Sequence, residues 1–102
     1  MNDDDVIHFY IINDNILVSY FNIIYSENKH FISYMYTNKN YRKKGYMKKL
    51  LNYALKICKT YNIKEIYSWT KITNDASKNL FISNNFEINM IEDDNIIFIK
   101  KL

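Results

Sequence analysis

Proline is missing from this sequence, and glycine, cysteine, tryptophan and arginine occur once each, as Gly45, Cys58, Trp69 and Arg42. A chain so poor in glycine must turn and end its helices on other residues, and asparagine, which tolerates a left-handed backbone, is the expected substitute. One cysteine excludes an internal disulfide and favours a reducing compartment. No apolar run is long enough to span a bilayer, and the opening Met1, Asn2, Asp3, Asp4 and Asp5 has the wrong sign for a secretory leader, so the chain reads as soluble and cytoplasmic. Acidic residues are absent between Glu27 and Glu65, where Lys39, Arg42, Lys43, Lys44, Lys48 and Lys49 crowd together. That stretch calls for an anion, although the net charge is only +3.

What is present suffices for one core. The 102 residues are 48% hydrophobic, enough for a single domain over 1–102 and too few for two. Runs rich in β-branched and aromatic residues predict strands at 6–12, 16–25 and 30–36, broken by Asn13, Asp14 and Asn15 and then by Ser26, Glu27, Asn28 and Lys29. Over 46–61 the period changes: Met47, Leu51, Ala54, Leu55 and Cys58 share one stripe, widened by Leu50 and Ile57, with lysines mostly outside it. This is an amphipathic helix ending at Asn62, followed by a strand at 63–69. A second helix is expected at 74–83, opened by Asn74 and Asp75 and stopped at Asn84 and Asn85. A hairpin of strands at 86–90 and 96–101 closes the chain. The fold class is α/β (α+β): a mixed, mostly antiparallel sheet with one parallel pair, the third and fourth strands, and two main helices.

The chemistry concentrates between the third strand and the first helix. Arg42, Lys43, Lys44, Gly45, Tyr46, Met47 and Lys48 place a glycine-bearing basic turn at a helix start, where free NH groups and the positive end of the helix dipole converge on a phosphate. A solvated lysine face is the plain alternative for the charge alone. It does not explain why the only glycine and the only arginine lie three residues apart.

Here the residues resemble the pyrophosphate-binding motif of the GNAT acetyltransferases, in which Gln or Arg is followed at three and five positions by Gly and then Gly or Ala. Arg42 and Gly45 match, and Met47 stands where the family prefers a small residue. A second likeness follows at the right separation: Asn74, Ser77, Leu80 and Phe86 fit the family's later signature, Asn85 takes its glycine position, and Phe81 its tyrosine position. The resemblance runs from about residue 31 to 102. It implies acetyl-CoA as co-substrate, held by the basic turn, by the backbone of Met35, Tyr36 and Thr37 along the third strand, and by Asn74, Ser77 and Phe81. The thioester would then lie beside the fourth strand, and the acetyl group would pass to a primary amine. No helical period precedes Tyr46, so the reading is of a short member whose open acceptor side suits a protein lysine or N-terminus, or a site completed in a homodimer.

An amine of pKa about 10.4 needs roughly 4 kcal/mol to lose its proton at neutral pH, so a base or water relay is expected. His30 and Glu27 are the nearest candidates, while Phe31, where the family carboxylate falls, is inert. The family's tyrosine protonates the departing thiolate, which Phe81 cannot do. The ten tyrosines are read mainly as packing, and Trp69 as a core filler. No metal and no membrane are expected. Two other readings stand beside the enzyme: a degenerate CoA-binding interaction module, and a small basic nucleic-acid binder stacking bases on its tyrosines. The modest net charge and the single placed glycine favour a compact anion over a polymer.

Overall fold

The computed structural model describes residues 5–102; residues 1–4 of the acidic opening lie outside them. In chain order the elements are β1 (Val6–Asn13), β2 (Ile16–Ser26), β3 (Lys29–Thr37), a single 3-10 turn (Lys39–Tyr41), α1 (Tyr46–Thr60), β4 (Glu65–Lys71), α2 (Asp75–Ser83), β5 (Glu87–Glu92) and β6 (Asn95–Lys101). The turns are made as a glycine-poor chain requires: Asp14, Asn15, Asn28, Asn62, Asn85 and Asp93 all adopt left-handed φ.

One six-stranded sheet results, in the order β1-β2-β3-β4-β6-β5, and only β3 and β4 run parallel. That parallel pair surrounds α1 in the chain, as expected of a strand-helix-strand unit. The fourth strand begins at Glu65, two residues later than its sequence pattern implies. Asn62 at φ 63° turns the chain, and the Ile63 NH bonds back to the Cys58 carbonyl at 3.0 Å, so Ile63 is a buried plug at the helix end. The 3-10 turn was not legible in the sequence; it is capped by the Asn38 side chain, which accepts from the Asn40 NH at 3.0 Å.

Both helices pack on one face of the sheet. Leu50, Leu51, Ala54, Leu55 and Cys58 of α1, with Phe81 of α2, meet Phe9, Phe21, Ile23, Ile32, Ile66 and Phe98 in the main core. Adjacent strand residues point to opposite faces. Phe31, Tyr67 and Ile97 therefore form a smaller cluster on the other side, joined by Ile24 and Ile99 and by no residue of either helix. Among the described residues no helix is long and apolar enough to cross a membrane.

Candidate active site

The parallel strands stay together only briefly. Their register consists of Phe31 opposite Tyr67 and Ile32 opposite Ser68. Beyond it β3 keeps its partner β2 as far as Thr37, and β4 keeps its partner β6 as far as Lys71, so a gap opens between them. At the start of the parting Tyr34 has φ 56°, a left-handed value that a bulky aromatic rarely adopts, and the β2–β3 register shifts around it. The residue is 77% exposed. The bulge directs the remaining β3 backbone, including Met35, Tyr36 and Thr37, along the gap. No local sequence signal marks it.

Because β3 and β4 are parallel, the segments that leave them emerge at the same end of the sheet. From β3 come the 3-10 turn and the basic turn into α1. Gly45 is the residue before α1, at φ 82°, and it provides no side-chain cap. In an α-helix the first NH groups have no internal acceptor, so those of Gly45, Tyr46, Met47 and Lys48 are left facing outward. The first backbone bond across the turn is from Lys49 NH to the Gly45 carbonyl at 3.0 Å. A Cβ built on Gly45 would meet no atom within 4 Å beyond its chain neighbours, so the space beside Gly45 is clear. Met47 does not fill it: its side chain is half-buried and packs on the main core, so the departure from a small residue leaves the front of the turn open.

The basic side chains around the turn have different tasks. Arg42 Nε donates to the Thr37 carbonyl at 3.0 Å and ties the turn to the end of β3. Lys43, at φ 61°, shapes the turn by its backbone. Lys44 Nζ lies 5.9 Å from the centre of the Tyr41 ring, which Tyr46 meets edge-on at 5.7 Å. Lys48 lines a shallow groove of about 460 Å³ with Gly45, Lys49, Asn52, Tyr53 and Lys56. The arrangement supplies cations and NH donors without a carboxylate, which is the chemistry of a phosphate site.

From β4 the chain enters α2 through Asn74. The Asn74 side chain accepts from the Ser77 NH at 3.1 Å, and the Ser77 hydroxyl lies 3.5 Å from that of Thr70 on β4. Both residues thus stand at the gap end with structural duties of their own, capping α2 and holding it to β4.

Some of the singled-out positions have surroundings that the sequence did not show. Phe81 is fully buried, its ring 5.0 Å from Phe86 and 5.4 Å from Phe98, and it presents no surface to a ligand. His30 and Glu27 lie at the opposite end of β3: Glu27 is an exposed turn residue at φ 50°, and His30 sits against Tyr25, ring centres 4.7 Å apart. Five residues of strand separate His30 from Met35, roughly 16 Å at about 3.3 Å per residue. His30 lines a separate cavity of about 780 Å³ with Asp5, Ile7, Ile57, Tyr61 and Ile63, and burial holds its pKa below 6.5. Finally, Trp69 is not core: it is 54% exposed on the helix-free face, stacked on Phe31 at 4.6 Å with the rings 8° from parallel.

Known proteins share this fold. The PaiA N-acetyltransferase of Thermoplasma acidophilum, solved in complex with coenzyme A, superposes with a TM-score of 0.88 at 23% identity, over 96% of this chain and 62% of that one. The ribosomal-protein-S18-alanine N-acetyltransferase of Escherichia coli gives 0.88 at 13% identity, over 98% and 71%. A GNAT-family acetyltransferase of Staphylococcus aureus Mu50 gives 0.81 at 23%, over 95% and 68%. The chain thus spans less than two thirds of the Thermoplasma protein. No curated protein sequence matches it significantly. At these identities the structural likeness speaks for the fold alone, but the model of the acetyltransferase (GNAT) family matches residues 2–86, most of the chain. With the basic turn, the free helix start and the parted parallel strands all in their places, the chain belongs to the GNAT acetyltransferase family.

Proposed function

We propose that this protein is an acetyl-CoA-dependent N-acetyltransferase acting on a primary amine. The observation that carries the reading is the uncapped start of α1, with Gly45 at its head, standing at the same end of the sheet as the gap between β3 and β4. The diphosphate of acetyl-CoA fits the NH groups of Gly45, Tyr46, Met47 and Lys48, with Lys43 and Lys44 adding charge. Arg42 acts from behind, holding the turn to Thr37. The pantetheine arm fits the backbone of β3 along the gap at Met35, Tyr36 and Thr37, beside the Thr37 carbonyl that Arg42 holds, which brings the thioester into the gap.

The reaction asks little of the protein beyond position. The amine nitrogen attacks the thioester carbonyl, a C–N bond forms, the C–S bond breaks, and the nitrogen gives up a proton. A thiol of pKa about 8.5 is a tolerable leaving group without a dedicated acid, and the proton it takes up comes from water. Neither His30 nor Glu27 serves as base from the far end of β3, so the amine loses its proton to solvent entering the gap. The acceptor falls within the class of primary amines that includes protein lysines and N-termini.

The buried Phe81 and the distant His30 favour one competing reading, a CoA-binding module without catalysis. A single pair of measurements separates the two. Calorimetry with acetyl-CoA is expected to show saturable binding, and mass spectrometry of a mixture of amines and a lysine peptide is expected to show transferred acetyl groups. Binding without transfer to any amine would leave the module; absence of binding would refute both.

A further inference from the structure

Trp69 is the first residue of β4 beyond its last pairing with β3, so it stands at the edge of the gap. Its side chain belongs to the face of the sheet that neither helix covers. One side of the indole lies flat against Phe31, and the residue remains 54% exposed. Exposed indoles are costly to leave in water, yet this one is held in a fixed orientation, as a binding surface must be.

The row behind it shows what such a surface accepts. Phe31 leads to Tyr67, ring centres 5.6 Å apart, and the Lys29 ammonium already lies 5.3 Å from the centre of the Tyr67 ring. The far end of the row holds an ammonium from the chain itself, while the end at the gap is open. An indole attracts a cation more strongly than a phenol does. The one carboxylate on β4, Glu65, lies at the far end of the strand and accepts the Tyr67 hydroxyl at 3.0 Å. The cross-strand neighbour of Trp69 is Ile97. By register the carboxylates of Glu87 and Glu92 on β5 share this face but stand two strands away from Trp69, so the surface beside the gap offers stacked rings and an aliphatic neighbour.

Resting on the acetyltransferase reading, we propose that Trp69, stacked on Phe31, is the floor of the acceptor site, and that the acceptor is a monoamine on an aromatic or aliphatic body. The apolar body lies on the indole and the amine reaches over its edge into the gap, where the thioester is presented from the side of the helix start. Trp69 thereby sets specificity and takes no part in the proton transfers.

Trp69 is the only tryptophan, so the emission of the whole protein under selective excitation reports this one ring. With acetyl-CoA saturating, titration with phenethylamine is expected to shift or quench the emission saturably, and spermidine to do so far less. Trp69→Leu is expected to raise the KM for phenethylamine about tenfold with kcat within about twofold, and Trp69→Phe, which keeps a ring against Phe31, to recover most of the loss. Calorimetric affinity for acetyl-CoA should be the same in all three proteins, which also certifies their folding. Emission that ignores phenethylamine in a protein that binds acetyl-CoA overturns this proposal alone. So does a stronger response to spermidine, or an unchanged KM in Trp69→Leu. Failure of the wild-type protein to bind acetyl-CoA overturns the acetyltransferase reading first.

Discussion

Replacing Gly45 tests the centre of the functional reading and the fold at once, and the two effects can be separated. At φ 82° any residue with a Cβ is strained, by about 1–2 kcal/mol for alanine. For a domain of this size that is a fall in Tm of roughly 4–16 °C. Space is not the cause, since no atom lies within 4 Å of the added carbon. That same empty space is where an anion must approach the NH groups of the helix start. Gly45→Ala should therefore also weaken acetyl-CoA binding by about 1–3 kcal/mol, the worth of a charge-assisted hydrogen bond, or roughly 5- to 150-fold in Kd. Gly45→Asn separates the terms, because asparagine tolerates the left-handed backbone while still carrying a Cβ. It should recover most of the lost Tm and none of the lost affinity. Differential scanning calorimetry reads the first and isothermal titration the second. A folded Gly45→Asn protein with wild-type affinity for acetyl-CoA would mean that the diphosphate does not sit at this turn, and the proposed site would have to be abandoned.

Tyr34→Asn should stabilise the protein by about 1 kcal/mol, or roughly 4–8 °C in Tm, because it relieves the left-handed strain at a largely exposed position; a lower Tm would show that the tyrosine ring itself holds the bulge. Phe81→Tyr places a hydroxyl in a closed core and is expected to cost about 1–3 kcal/mol with no gain in transfer rate. A stable variant with faster single-turnover acetylation would instead show that the ring edge reaches the gap. Burial pushes the Cys58 thiol from its ordinary 9.0 up to about 11, so the fold favours the neutral form. Its contribution to stability is complete below pH 9 and is lost as the pH rises through 11, about 2–3 kcal/mol in all. Denaturant titrations of wild type and Cys58→Ala between pH 8 and 11 check this, since the difference between the two should shrink by that amount.

The sequence by itself determined the order of the elements, because each carries its own period and its own stops. The stripe from Met47 to Cys58 could be nothing but a helix face, and Asn62 and Asn85 took the left-handed positions that glycine holds in richer chains. It also determined the basic turn, since an anion site built on backbone NH groups and a helix start is local and is written in consecutive residues. Tertiary structure decided what depends on neighbours far along the chain. That β3 and β4 pair at only two positions, and that Tyr34 takes a left-handed φ where they part, depends on strands that stay with different partners, β2 and β6, which no window of residues records. His30 and Glu27 looked close to the chemistry in the chain, yet a strand is extended, and a few residues along it carry a side chain beyond reach of the reacting atoms. Trp69 and Phe81 make the contrast plainest. Both are large aromatics, but Phe81 is an α2 residue turned into the core against the sheet while Trp69 lies on the sheet face that neither helix covers, and only the packing of α1 and α2 assigns the sides.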